Sequence, residues 1–223
     1  TPGVKIFMGS STGTLLVPDD ASLLSVLSNA HRRMPVHAED HFLLEEQRAR
    51  HADASDVSKH PEIRSPECAR RAVERIIEIS EKTGTPVHIL HVTSADELPL
   101  IRDAKARGLG TTAEVTPQHL WFCAPNCYSK LGTLAQMNPP IRTQEHRAAL
   151  RDAVREGLFD VFGSDHAPHT LSEKGQPYPK SPSGMTGVQT SLSVLCTLAL
   201  RDSLFSLNDV VRMFCENPAS IYG

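Results

Sequence analysis

Short apolar runs alternate along the chain with longer segments in which apolar residues recur at helical spacing. The runs are rich in β-branched residues and end in glycine, serine or charged residues, so they predict β-strands over 4–8, 34–40, 86–94, 111–117 and 159–165. The longer segments predict α-helices over 19–33, 66–84, 94–108, 143–157, 186–201 and 207–216. Polar segments rich in proline and glycine predict loops over 51–65, 117–142 and 168–184.

Local signals fix several of the predicted helix boundaries. Pro66 suits the first turn of a helix, and Gly84 follows the last apolar position of the same segment. Ser94 with Glu97 three residues later is a capping-box pattern. Thr143 is expected to cap the next helix, which Gly157 is expected to end.

Alternation of strands and helices is typical of parallel β/α units. A closed (β/α)8 barrel has eight such units and about 250 residues, and five are predicted here. The alternative is a doubly wound open sheet, but no Gly-x-Gly-x-x-Gly fingerprint of a dinucleotide fold follows any predicted strand. No linker divides the chain, so we expect residues 1–223 to belong to one α/β domain.

Composition excludes several classes of protein. The net charge is −3 with scattered charges, and no basic patch is interleaved with aromatic residues, so nucleic acid is not an expected partner. No apolar run reaches the roughly 18 residues of a membrane helix, and the first residues lack the pattern of a signal peptide. The odd count of five irregularly spaced cysteines favours a reducing compartment, and we expect a cytoplasmic protein.

Four chemically unusual residues fall on different predicted strands. Lys5, His37 and His91 lie on the first three strands, and Asp165 ends the fifth. Strands of a β/α barrel direct their carboxyl ends to the active site, and imidazole and carboxylate are ordinary ligands of Zn²⁺. A lysine within an apolar strand is costly unless it is paired or modified. Addition of CO₂ to Lys5 would give a carbamate that can bridge two metals.

Each of these residues also has a structural explanation. Lys5 could be an edge-strand lysine, His37 a hydrogen-bonded core histidine and Asp165 the cap of a turn. Their occurrence at successive strand ends favours a metal-dependent hydrolase. His88 lies three residues before His91, so the two side chains are expected on opposite faces of the strand. Asn138, held before two prolines, suits substrate binding or a plain turn.

The remaining histidines are expected to be structural. His31 is predicted in the last turn of a helix, where the dipole favours a cation. His119 is predicted beside the mouth of the barrel, and His166 is expected to point away from Asp165. Four others are predicted at the surface: His41, His51, His60 and His146.

Together these motifs resemble the dihydroorotases of the amidohydrolase superfamily. The resemblance runs through the whole chain in the expected order, and its most discriminating piece is "SDHAPH". It is carried by "VKIFMGSSTG", "VHAED", "LHVTSADE", "AEVTPQHLWF", "MNPPIR", "SDHAPHTLSEK" and "ENPASIYG".

The resemblance implies a TIM-type metal-dependent hydrolase barrel with two divalent metal ions, most often Zn²⁺. It further implies that carboxylated Lys5 bridges the metals and that His37 and His91 bind the more exposed one. Asp165 would bind the buried metal and act as the catalytic acid and base. Three residues would hold the substrate: Asn138, His169 and Gly184.

The function implied is reversible hydrolysis of the cyclic amide of dihydroorotate to N-carbamoyl-L-aspartate, a step of pyrimidine biosynthesis. The expected partners are this small molecule, a second copy of the chain in a homo-oligomer, and other enzymes of the pathway. A hydantoinase or allantoinase would use the same metals on another cyclic amide. A non-catalytic scaffold protein is the third alternative.

One departure from the family pattern is large. The family carries a His-x-His pair on its first barrel strand, and no such pair occurs in these 223 residues. The lysine strand corresponds to the fourth strand of the family, so about five of eight β/α units are expected, without the flanking β-domain. We therefore expect the chain alone to be inactive, and the complete protein to be a zinc-dependent cyclic amidohydrolase.

Overall fold

A computed structural model describes residues 2–9 and 15–223 of the chain. Positions 10–13 of the motif "VKIFMGSSTG" therefore lie outside the described residues. In the described part, five strands form a sheet: β1 (Ile6–Phe7), β2 (Met34–His37), β3 (Val87–Ile89), β4 (Thr112–Val115) and β5 (Val161–Phe162).

The five strands are parallel and lie in the order of the sequence, β1-β2-β3-β4-β5. The register pairs Phe7 with His37 and Val36 with Ile89, so the carboxyl ends of neighbouring strands meet at one edge. Each connection crosses through at least one helix. The predicted succession of parallel β/α units is therefore confirmed.

The strands are shorter than predicted because the backbone leaves the extended conformation at their carboxyl ends. His91 has φ +36° and Asp165 has φ +41°, values that interrupt a strand. The segment predicted as a strand through residue 40 ends at His37, and Asp40 instead caps a helix by accepting the Leu43 N–H at 2.9 Å.

Twelve α-helices are described. They are α1 (Asp20–Ser28), α2 (His41–Arg50), α3 (His60–Ile63), α4 (Pro66–Thr83), α5 (Leu98–Ala106), α6 (Pro117–Trp121), α7 (Asn126–Leu131), α8 (Gln144–Arg155), α9 (Leu171–Lys174), α10 (Val188–Leu200), α11 (Leu207–Val211) and α12 (Asn217–Tyr222). Short 3-10 turns occupy Val57–Lys59, Ala95–Glu97 and Gly132–Ala135, and a π-helical turn spans Arg212–Glu216.

The core lies between the sheet and its outer helices. Helix α4 begins with Pro66 and ends at left-handed Gly84, as predicted, and buries Val73, Ile76 and Ile79 on its inner face. It packs against α1, α5 and β3. Apolar side chains fill the space between the sheet and its outer helices. The polar residues lie instead at the carboxyl ends of the strands, along one edge of the sheet.

Several local predictions were wrong. Helix α1 ends at Ser28, so exposed His31 lies beyond the helix and not in its last turn. Helix α2 was not predicted, and each of the three predicted loops contains short helices. Thr143 occupies the N-cap position of α8 without a side-chain capping bond. Within the described residues, no helix combines the length and the apolar character needed to cross a membrane.

Candidate functional site

A cavity of about 710 Å³ opens at the carboxyl ends of the strands. Its lining comes from β1, β2, the loop after β5 and the segment around residue 138. Among the lining residues are five of the predicted site residues: Lys5, His37, Asn138, Asp165 and Gly184. The tertiary structure therefore brings together residues that are up to 179 positions apart in the sequence.

His37 and His91 are in direct contact at the end of the sheet. The Nδ1 of His37 lies 3.0 Å from the Nε2 of His91, and both side chains are buried. Because they follow neighbouring parallel strands, β2 and β3, their rings meet above the sheet edge. His37 lines the cavity, whereas His91 lies behind it and is not among the lining residues.

Glu39 determines the orientation of the His37 ring. Its Oε2 lies 2.7 Å from His37 Nε2, and the same carboxylate forms an ion pair with Arg64. Burial would raise the pKa of Glu39, but the Arg64 guanidinium and His37 hold this pKa well below its usual range. An ionised carboxylate only accepts hydrogen bonds, so His37 donates from Nε2 and presents a lone pair at Nδ1.

His91 is held in a strained and dry position. Its φ is +36°, its side chain is 2 % exposed, and its backbone N–H donates to Glu114 Oε1 at 3.1 Å. Burial and the neighbouring His37 lower the pKa of His91, which keeps the ring neutral. His91 Nδ1 is buried and makes no hydrogen bond in the described part of the chain.

Asp165 and Lys5 both line the cavity. Asp165 lies three residues after the end of β5 and has φ +41°, a conformation uncommon for a residue other than glycine. His166 is exposed, accepts the Gly187 N–H at its Nδ1 and lines the same cavity as Asp165, so the expectation that it points away from the site is not confirmed. Lys5 is exposed, and its Nζ lies 4.6 Å from the centre of the Phe7 ring.

Asn138 is fixed by a histidine that sequence reasoning placed at the surface. His60 is only 4 % exposed, and its Nε2 donates to Met137 O at 2.9 Å and Asn138 Oδ1 at 3.1 Å. Burial lowers the pKa of His60 to about 3, with a further contribution from Arg64. The neutral ring therefore orients the Asn138 amide toward the cavity that both residues line.

Gly184 lines the cavity, and His169, which is not among the lining residues, lies next to it. His169 Nε2 lies 3.2 Å from Ser183 O. A Cβ atom at Gly184 would lie 2.5 Å from Ala167 O and 3.1 Å from the His169 ring, and φ at this glycine is +149°. Only glycine fits this close approach.

The other histidines take varied positions. His119 is buried between Thr116 and Pro139 O, which agrees with a structural role beside the cavity. His88 is fully buried and contacts Thr112 and Glu114 instead of the cavity. The surface prediction was also wrong for half-buried His146, whose Nδ1 accepts the Ala95 N–H, and for half-buried His41 and His51.

The donor set fits a divalent cation in its chemistry. The His37 Nδ1 and His91 Nε2 atoms face each other at 3.0 Å. The other ring nitrogen of His91, Nδ1, has no hydrogen-bond partner in the described part. Lys5 and Asp165 line the same cavity. Among the described residues, however, no three His, Cys, Asp or Glu side chains are close enough to form a metal-binding group by themselves.

Sequence reasoning missed Glu39, Arg64 and His60. Glu39 alone left a signal, because it lies two residues after His37 in an extended segment and therefore on the same side. Arg64 and His60 fall in a region predicted as a polar loop, and only the tertiary contacts reveal them.

Comparison with known proteins places these features in a family. The model of the amidohydrolase family matches residues 39–223. A dihydroorotase of Halobacterium salinarum is 35% identical over 222 residues, covering 98% of this chain and 50% of that protein. A dihydroorotase of Desulfotalea psychrophila is 40% identical over 149 residues, covering 67% of this chain and 35% of its own length.

Solved structures give the same fold. L-hydantoinase (dihydropyrimidinase) from Arthrobacter aurescens superimposes with a TM-score of 0.93 at 25% identity, over 100% of this chain and 51% of its own. Dihydropyrimidinase from Brevibacillus agri gives 0.90 at 25% identity, over 100% and 50%. The predicted fold class, β/α units of a TIM-type metal-dependent hydrolase barrel, is confirmed. The chain spans about half the length of the curated relatives it matches.

Proposed function

Because this chain belongs to the amidohydrolase family, we propose that it forms part of a dihydroorotase that reversibly hydrolyses the ring amide of dihydroorotate to N-carbamoyl-L-aspartate. The observation that carries the proposal is the convergence of Lys5, His37, Asn138, Asp165 and Gly184 on one cavity. The identity to curated dihydroorotases supports this substrate. Residues 1–223 are proposed as one partial barrel domain.

The proposed cofactors are two divalent metal ions, most simply Zn²⁺. Lys5, in carboxylated form, His37, His91 and Asp165 would hold them. Such ions, when bound, supply positive charge that polarises a carbonyl and lowers the pKa of an attacking water. The Glu39 carboxylate keeps the His37 Nδ1 lone pair available for this role.

Asp165 is the proposed catalytic acid and base. Its carboxylate accepts a proton from the attacking water and delivers it to the ring nitrogen that leaves as the amide bond breaks. Its position in the loop after β5, lining the cavity, suits this transfer. In the reverse direction the same carboxylate accepts the proton of the attacking nitrogen and delivers it to the oxygen that departs as water, so one residue serves ring opening and ring closure.

Asn138, His169 and Gly184 are proposed to bind the carboxylate of the substrate. The Asn138 amide N–H and an imidazole N–H of His169 are suitable donors to a carboxylate. Gly184 contributes space, because it has no side chain and its own N–H donates to Gln136 O at 2.9 Å. His60 keeps Asn138 Oδ1 occupied, which leaves the amide NH₂ for the ligand. These contacts would select dihydroorotate over uncharged cyclic amides.

A hydantoinase or dihydropyrimidinase activity is the second candidate. It is supported by the solved hydantoinase and dihydropyrimidinase structures, which match the whole chain at 25% identity. A non-catalytic scaffold role is the third candidate, and the substrate panel described below tests it. The complete protein is further proposed to be a homo-oligomer in the cytoplasm that contacts other enzymes of pyrimidine synthesis.

The test is a substrate panel on the protein purified from its native source. We expect turnover of dihydroorotate and N-carbamoyl-L-aspartate to exceed that of hydantoin and allantoin. Asp165→Asn should lower turnover by at least about a hundredfold, the scale of general acid-base catalysis, while metal remains bound. Asp152→Asn on the exposed face of α8 is the control. Faster turnover of hydantoin would favour the second candidate. If no substrate is turned over, with or without added metal, the scaffold role is favoured.

A further inference from the structure

A buried lysine lies behind the wall that carries Gly184. Lys174 ends helix α9 and is only 4 % exposed. Its Nζ donates three hydrogen bonds, to Gln136 O at 3.0 Å, Pro182 O at 2.9 Å and Gly184 O at 3.0 Å. The backbone carbonyl of Lys174 accepts hydrogen bonds from Thr133 and Ser181, so both ends of the residue are fixed.

The geometry identifies the protonated form of this side chain. An ammonium group has three protons, and three carbonyl oxygens are arranged to accept them. A neutral amine would turn its lone pair toward one of these oxygens. Within the described residues no ion pair includes Lys174, so the carbonyl dipoles alone compensate the buried charge. Burial lowers the pKa of Lys174 to about 8.

Lys174 joins two segments that are distant in sequence. Gln136 precedes Asn138 by two residues, while Pro182 and Gly184 flank Ser183, whose carbonyl contacts His169. Gln136 adds further ties, because its carbonyl accepts the Gly184 N–H at 2.9 Å and its amide donates to Ser181 O at 3.0 Å. The ammonium group is thus the common point of attachment for both segments.

Burying a charged side chain costs free energy unless hydrogen bonds or an opposite charge compensate it. An apolar residue of the same length would fill the space, but it would leave three carbonyl oxygens without donors. Those carbonyls belong to the backbone on either side of the proposed substrate-binding residues. Their orientation therefore fixes the direction of the Gly184 peptide and the Asn138 loop.

We propose that Lys174 is a positioning residue that clamps the Asn138 segment to the Ser183–Gly184 segment and so builds the wall that recognises a ligand carboxylate. The inference rests on the proposed function. Lys174 does not touch the ligand; it acts through the peptide groups that it holds.

Ligand binding to the complete protein, measured by calorimetry, tests this role. N-carbamoyl-L-aspartate and N-carbamoyl-β-alanine differ by the α-carboxylate alone. The ratio of their affinities therefore measures how well the site recognises that carboxylate. Lys174→Met should reduce that ratio by about tenfold or more, the effect of losing one well-positioned hydrogen bond to a charged group. Affinity for N-carbamoyl-β-alanine and metal content should stay within about twofold of the wild type.

Two further variants separate positioning from general stability. Thr133→Val removes a hydrogen bond to the Lys174 carbonyl without touching the ammonium group, so it should lower the melting temperature and keep the affinity ratio. Lys174→Gln retains two N–H donors and should give an intermediate ratio. If the Met variant does not fold, the Gln variant tests the clamp alone. In this variant, hydrogen exchange at the Gly184 N–H should be faster than in the wild type.

The outcomes distinguish the two proposals. A wild-type protein that binds both ligands equally would refute the proposed carboxylate site and the clamp with it. A wild-type protein that prefers N-carbamoyl-L-aspartate, with the same preference in both Lys174 variants, would overturn the clamp alone. Loss of preference in the Lys174 variants, with preference kept in Thr133→Val, supports it.

Discussion

A single buried carboxylate decides how the central histidine of the site can act. Glu39 accepts the His37 Nε2–H at 2.7 Å, and Arg64 keeps Glu39 ionised. His37 Nδ1 is therefore the atom directed at His91. Second partners of this type raise the basicity of ligating histidines and fix their rings.

Glu39→Gln should weaken zinc binding by about 10- to 100-fold, the usual range for loss of such a partner. A glutamine amide cannot accept from His37 and Arg64 at both of its terminal atoms, so the His37 ring loses its fixed tautomer. Metal content after dialysis against graded chelator concentrations measures the effect. Glu67→Gln, in an exposed ion pair on α4, is the control. Equal zinc affinity in both variants would contradict the role of Glu39.

The junction between β1 and β2 shows how closely two elements must approach to form the site. A Cβ atom at Gly9 would lie 2.4 Å from Glu39 O and 3.2 Å from the His41 N. Both contacts are with backbone, which cannot rotate away as a side chain does. The absence of a side chain at residue 9 therefore lets the end of β1 pack against the segment that carries Glu39.

Gly9→Ala should destabilise the fold by about 1–3 kcal/mol, as expected for overpacking, and should also reduce metal content by moving Glu39. Gly157→Ala is the comparison, since it has open space but φ +73°, which costs about 1 kcal/mol in strain. Denaturant unfolding and metal analysis would be measured on both. A metal loss that is equal in the two variants would argue against a specific effect at the β1–β2 junction.

Across the whole molecule, several histidines are buried in the neutral form. Burial lowers the pKa of His60 to about 3 and that of His119 to about 4. Both values lie below the roughly 6.5 of an unfolded histidine. Between these limits the unfolded chain binds more protons, so acid favours unfolding.

The free energy of unfolding should therefore be highest above pH 6.5 and should fall as the pH drops toward 4. Each of these histidines contributes a slope of about 1.4 kcal/mol per pH unit within its window. His60→Gln should reduce the total slope by about one such contribution, and the exposed His31→Gln should not. Urea unfolding at pH 7, 6 and 5 measures it. The same slope in wild type and His60→Gln would refute the assignment.

The sequence by itself determined the order of the elements. Period-two and period-3.6 patterns, Pro66, Gly84 and the Ser94–Glu97 pair are local properties, so the β/α alternation was predictable. Strand ends were equally local, which is why Lys5, His37 and Asp165 could be expected at one edge before any contact was known. The two prolines after Asn138 drew attention to that residue, and resemblance to a family supplied its expected role together with His169 and Gly184.

Only the tertiary structure decided which of these residues meet and what holds them. Helix α3 is a single turn, too short for a periodic pattern, and its His60 and Ile63 are buried by other segments. His60 and Arg64 read as polar loop residues, yet long-range contacts bury both beside Glu39 and Asn138. Lys174 falls in a segment predicted as a loop, and its three carbonyl partners come from other segments. Burial and hydrogen-bond partners depend on chain segments far apart in sequence, and no local pattern encodes them.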